Sequence, residues 1–172
     1  TRSVIVRLEV FRMKGLPWVE SPEAPEGCQV FSWRDWRPEE RRRIEEDIIR
    51  GLIPTRLTPF QEERLIEPEI SLGVRCRGEV AGWIVVHRVK PDTTQVGALF
   101  VRPEYRGLGL GRLMSGTSMN RQIKARLPHR ILMVEIENEE MLHIQRRHNQ
   151  PGLVHTAEFR QARKDLRGPG RG

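Results

Sequence analysis

One stretch constrains this chain more than any other: Gln95-Val-Gly-Ala-Leu-Phe-Val-Arg-Pro-Glu-Tyr-Arg-Gly-Leu-Gly-Leu-Gly-Arg-Leu-Met114. Its apolar start predicts a buried strand over 95–101, and Pro103 ends that strand because proline cannot donate to a ladder. Three glycines follow at alternate positions, Gly107, Gly109 and Gly111. Leu110, Leu113, Met114 and Thr117 then recur on one face of a helix. The first turn of a helix leaves backbone N–H groups unpaired, and its dipole favours an anion there. Glycines let the backbone approach that anion without a Cβ in the way. Strand, glycine loop and helix together predict a pyrophosphate cradle, with Arg106 and Arg112 placed for charge-assisted contacts.

Other glycine motifs fit poorly. A dinucleotide fingerprint G-x-G-x-x-G starting at Gly107 or Gly109 would put its third glycine at Arg112 or Met114. A Walker A loop needs a lysine between its last glycine and a Ser or Thr, but Gly116 is followed directly by Thr117.

Around this segment the chain alternates strand and helix signals. Val4, Val6, Leu8 and Val10 alternate as in a strand. Residues 15–27 carry Pro17, Pro22 and Pro25 and read as a connection. A strand is expected at 29–33. A helix opens at Pro38 with Glu39 and Glu40 in its first turn and Ile44, Ile48, Ile49 and Leu52 as its apolar face. A shorter helix is expected from Pro59 to about Ile66. Strands follow at 70–76 and 79–89, joined by a tight turn at Arg77-Gly78. After the glycine-loop helix come a strand at 130–136, a helix from Asn138 to about His148, and a last strand at 153–159. This mixture predicts an α/β domain, an α+β mixed sheet with helices on both faces.

The 172 residues suit one domain of ordinary size. No apolar run approaches the ~18 to 20 residues that cross a bilayer, so no membrane association is expected. Two distant cysteines, Cys28 and Cys76, predict neither a disulfide framework nor a zinc site. A reducing, cytoplasmic location is the simplest inference. The net charge is +7. From Leu142 onward seven basic residues face only Glu158 and Asp165, and a solvated basic tail is the preferred reading. Nucleic acid is therefore not expected as a partner, and some positive excess would suit a polyanionic ligand.

From Val101 to Leu113 the sequence resembles motif A of the GNAT (N-acetyltransferase) superfamily. The pattern Arg/Gln-x-x-Gly-x-Gly/Ala is matched by Arg106, Gly109 and Gly111. The resemblance implies the GNAT acyl-CoA N-acyltransferase fold, with a mostly antiparallel central sheet. It divides the chain into 1–27, an extension or a strand of a preceding domain, 28–160, the GNAT domain, and 161–172, a basic tail. It implies that acetyl-CoA or another acyl-CoA is the co-substrate, with no metal. Backbone groups of Arg106, Gly107, Leu108, Gly109, Leu110, Gly111 and Arg112 would hold the pyrophosphate. Leu99, Phe100 and Val101 would offer main-chain groups to pantetheine as an added strand would, with the Val101 N–H as oxyanion donor. Asn138 matches an asparagine that opens the next helix.

The resemblance fails where the family's acid and base stand. The strand before the cradle offers Thr93, Thr94 and Gln95 in place of a glutamate, and Gln145 takes the place of a helix tyrosine. Glu137 and His143 are the replacement candidates, since a carboxylate or an imidazole can move a proton near neutral pH. Trp33, Trp36 and Trp83 could line an acceptor pocket, although core packing is preferred. The expected reaction is acyl transfer, most simply acetyl, to a small-molecule or peptide amine. Two alternatives stand beside it: a GNAT-like acyl-CoA or acyl-carrier-protein decarboxylase using Thr93, Thr94 and His143, and a non-catalytic coenzyme A-binding module of a larger protein. A free sheet edge would suit a homodimer.

Overall fold

Seven strands join in one sheet in the order β2-β3-β4-β5-β6-β1-β7. They are β1 (Arg2–Glu9), β2 (Cys28–Ser32), β3 (Leu72–Cys76), β4 (Glu79–Lys90), β5 (Thr93–Val101), β6 (His129–Glu135) and β7 (Leu153–Arg160). This computed structural model describes residues 2–135 and 139–160. Neighbouring strands run antiparallel except β5 and β6, which pair in parallel only from Thr93 to Gln95 against His129 to Ile131. The expected mixed sheet is therefore observed, and its one parallel ladder among the described residues is three pairs long.

Helices cover both faces, as their apolar stripes require. On one face lies α2 (Pro38–Ile49). Its Ile44 packs with Phe31, Trp83, Val85, Ala98 and Phe100. On the other lies α3 (Leu110–Lys124), whose Leu110, Leu113 and Met114 pack on Leu72, Val74 and Ile84. A short helix α1 (Pro17–Glu20), within a stretch read as plain connection, packs on α3. A Cβ on Gly116 would collide with the Trp18 backbone, which is how closely α1 approaches. A fourth helix, α4 (Glu139–His148), follows β6.

The first strand is interior. β1 pairs with β6 on one side and β7 on the other, and its Val4, Val6 and Leu8 pack with Met119 of α3. Residues set apart in the sequence as an appendage thus share the sheet of residues 28–160.

Three local expectations are corrected. The apolar face of α2 does not run on to Ile49 and Leu52, both of which are exposed. The helix stops at Ile49, Gly51 turns the chain with a φ of +73°, and Ile53 enters the core instead. No α-helix forms between Pro59 and Ile66. One 3-10 turn, Thr55–Leu57, precedes the stretch, and another, Glu63–Leu65, lies within it. Side chains tie this backbone down, with Trp83 Nε1 donating to the Leu57 carbonyl and Gln61 Nε2 to that of Thr55. The three tryptophans belong to one aromatic cluster with Phe31, Phe60 and Phe100.

The disulfide is the third correction. Cys28 and Cys76 stand directly opposite in the β2–β3 ladder, with Cα atoms 4.0 Å apart, and their sulfurs are bonded. Strand register, invisible in the spacing, brings them together. The reducing, cytoplasmic location was inferred from two unpaired thiols, and that ground is removed. Among the described residues no helix is long and apolar enough to cross a membrane.

The cross-link closes a loop with a sequence separation of 48. Cys76→Ser should lower the unfolding free energy by about 2–4 kcal/mol, measured by urea titration. Iodoacetamide should label neither cysteine of the native, unreduced protein; labelling of both would contradict the bond.

Candidate active site

The glycine loop takes the geometry its sequence demands. Gly107 and Gly109 have φ values of +84° and +79°, where other residues are strained. Gly109 is the residue before α3, and its carbonyl accepts from the Leu113 N–H at 3.0 Å. No side chain caps α3, and its first turn holds no acidic residue. The leading N–H groups therefore face outward with the positive end of the dipole. A Cβ placed on Gly107, Gly109 or Gly111 would meet no atom within 4 Å. These glycines leave space for something other than the protein's own packing. Beside them, Arg106 Nε donates to the Val101 carbonyl at 3.4 Å, and the Arg112 guanidinium lies 6.0 Å from the centre of the Trp18 ring. Leu110 is buried beneath the loop, while Leu108 is exposed.

After one 3-10 turn, the loop follows the end of β5, where the sheet is open. After Gln95 and Ile131 the ladder between β5 and β6 stops, and a cavity of about 380 Å³ fills the gap. Its walls are Gln95 to Leu99 of β5, Leu132 to Val134 of β6, and Met141 and Gln145 of α4, with Ser3, Arg56 and Leu57 at its ends. In β5 every second N–H and C=O points away from β4. Along the gap those groups have no β6 partner, so the edge can accept an added strand.

A family profile settles what this combination belongs to. The profile of the "Acetyltransferase (GNAT) family" matches residues 28–147, well over half of the chain. The chain belongs to the GNAT acetyltransferase family. Solved structures agree in fold. A GCN5-related N-acetyltransferase from Sphaerobacter thermophilus is 18% identical, with 77% of this chain and 42% of that one covered and a TM-score of 0.57. A GCN5-related N-acetyltransferase from Kribbella flavida is 16% identical, with 92% and 57% covered and a TM-score of 0.56. A tandem GNAT protein from the clavulanic acid biosynthesis pathway is 17% identical, with 91% and 53% covered and a TM-score of 0.61. This GNAT chain spans roughly half the length of each of these three structures. A search of curated proteins found no match.

The residues singled out in the GNAT sequence fall into separate places. Leu99 lines the cavity, Phe100 turns its ring into the α2-side core, and Val101 ends the open edge. Gln95 and Gln145 both line the cavity. Gln145 is buried, its side-chain oxygen accepts from Asn149 Nδ2, and its nitrogen lies 3.7 Å from Met141 Sδ. His143 is exposed on α4 and is not part of the cavity wall. Glu137 and Asn138 lie outside the described residues. His148 meets Trp18 edge to face, and its imidazole is pushed below its usual value by burial and by nearby Arg112. Thr93 and Thr94 are buried, with hydroxyls bonded to Asp92 and Gln122. Among the described residues no group of three His, Cys, Asp or Glu could hold a metal ion.

A polar cluster that the sequence did not single out closes the narrow end of the gap. Gln122 Oε1 accepts from Thr94 Oγ1 of β5 and from Arg130 Nε of β6, both at 2.8 Å. Gln122 Nε2 donates to the carbonyls of Leu127 and His129. Arg130 Nη2 donates to Ser118 Oγ at 2.8 Å. All four of these side chains are buried, and burial pushes the Arg130 guanidinium down to about 9. The only sequence signal was an arginine inside an apolar strand. Gln122→Leu would leave Arg130 Nε, the Thr94 hydroxyl and the Leu127 and His129 carbonyls buried without this partner and should lower stability by about 3–5 kcal/mol. Adding Arg130→Met should recover more than half of that loss in urea unfolding. A loss under about 1 kcal/mol would contradict the clamp.

Proposed function

We propose that this chain is an acyl-CoA-dependent N-acyltransferase, with acetyl as the simplest acyl group and a small-molecule or peptide amine as acceptor. One observation carries the reading: an uncapped, glycine-lined helix start follows, after one 3-10 turn, a strand whose edge is free along an adjoining cavity. A nucleotide pyrophosphate suits the first, and a linear amide-bearing arm suits the second. The space beside these glycines is open, which leaves room for a diphosphate against the backbone.

A thioester supplies an acyl carbon activated toward an amine. The protein's part is then positional and electrostatic. Backbone N–H groups from Leu108 to Arg112, helped by Arg106 and Arg112, neutralise the diphosphate. The β5 edge from Leu99 to Val101 bonds the pantetheine amides and fixes the arm along the gap. The Val101 N–H is the donor for the negative charge that grows on the acyl oxygen. Leu99, Leu132, Val134 and Met141 are apolar walls that keep water from the thioester. Gln95 and Gln145 are amides, able to orient a ligand but not to ionise.

Gly111→Trp separates this reading from a merely structural loop. Gly111 has no left-handed strain and no neighbour within 4 Å of its Cβ position. Stability should therefore change by less than about 1 kcal/mol. Acetyl-CoA binding by calorimetry should weaken by at least about 100-fold, near 2.8 kcal/mol. Wild-type affinity in the variant would remove the cradle. Thiol release from acetyl-CoA with a panel of primary amines then tells a transferase from a module that only binds.

A further inference from the structure

We propose that His87, standing behind the Gly97 bulge, takes the proton from the acceptor amine, an assignment that rests on the acyltransferase reading above. Four observations converge on it. Between Val85–Ala98 and Val86–Val96 the β4–β5 register shifts, so Gly97 is an extra residue in β5. Bulges of this kind re-aim neighbouring side chains and gather beside active sites. The His87 ring lies against Gly97: a Cβ there would stand 2.5 Å from its Cε1 and 2.7 Å from its Nδ1. Gly97 is itself part of the cavity wall, as is Gln95, the register partner of His87, while His87 stands behind that wall, its ring against Gly97. Lastly, His87 Nε2 is buried with no hydrogen-bond partner. A buried ring nitrogen left unpaired is unfavourable, and a native structure keeps one where a water or ligand supplies the partner.

The surroundings leave the role open to this residue. No acidic side chain of the described residues lines the cavity. The charged groups nearby are Arg56 in the cavity wall and the Arg88–Glu67 pair, 3.5 Å apart, beside the bridge between Ile66 and His87. Histidine changes charge near neutrality, which an amide cannot do.

The step balances as follows. The His87 nitrogen lone pair, directly or across one water, accepts a proton from the ammonium, giving a neutral amine and an imidazolium. The amine nitrogen forms a C–N bond to the acyl carbon, and the C–S bond breaks with its electron pair passing to sulfur. The second amine proton goes to the thiolate, and the imidazolium returns its proton to solvent. The products are an amide, a thiol and one proton.

The test uses the full chain, acetyl-CoA and primary amines. His87→Gln should keep the acetyl-CoA Kd within about twofold. It should lower kcat/KM at pH 7 by ~100- to 1,000-fold and remove the acid limb of the pH profile. Activity within about threefold of wild type, with the acid limb intact, would overturn the assignment. On the unmutated protein, nitrogen-15 spectra should show the His87 ring resonances moving when acetyl-CoA is added. A ring untouched by saturating acetyl-CoA overturns the assignment even if the variant does not fold. Failure of wild-type protein to bind acetyl-CoA, or to release thiol with any amine, overturns the acyltransferase reading as well. Binding and release with His87 indifferent overturn this inference alone.

Discussion

The Gln122 amide is the point on which the arrangement turns. One buried side chain bonds β5 through Thr94, β6 through Arg130, and the backbone at Leu127 and His129. A gap between parallel strands is unfavourable unless something holds its closed end, because every unpaired edge group invites the strands to zip or to part entirely. The cluster fixes the strands where they touch, and the core contacts of α3 fix the helix that carries Gln122. Since Leu110 begins that same helix, the uncapped helix start and the strand gap are both set by α3.

The opposite face is tied by charge. Arg102, just past β5, reaches Asp47 of α2 at 2.8 Å and the Val80 carbonyl at 3.0 Å. Arg75 of β3 holds both oxygens of Glu40 at 2.7 Å and stacks over Phe31. That hydrogen-bonded pairing pulls the Glu40 carboxyl below its usual range. These half-buried pairs make α2 a backing plate for β4 and β5. The chain leading into the glycine loop therefore starts from a fixed place.

The glycine loop and the helix after it were legible because their physics is local. Alternating glycines, a preceding apolar strand and a following apolar helix face all lie within twenty residues. The order of the elements was legible for the same reason. What depends on register was not. Nothing in the spacing of Cys28 and Cys76 says that they are ladder partners. Nothing near His87 in sequence announces a bulge at Gly97 ten residues later. Arg130 resembled an ordinary strand residue because its partners, Ser118 and Gln122, sit on a helix that ends before the strand begins. Ile49 and Leu52 kept a helical spacing that the turn at Gly51 cuts short. The Pro59–Ile66 stretch had helix-compatible residues, but Glu62 turns left-handed within it, at a φ of +50°.

The interior position of β1 has a consequence for how the chain is made. Val4, Val6 and Leu8 are synthesised before both neighbours of their strand, β6 and β7, which come far later in the chain. The pairing of Ser3 with Glu135 must wait for nearly everything between them. Contacts so distant along the chain form slowly, and an apolar strand with two open edges is prone to mispairing in the meantime. A nascent chain of this design holds a sticky ribbon until β6 and β7 have been made. It is therefore the kind of chain that a holding chaperone would serve.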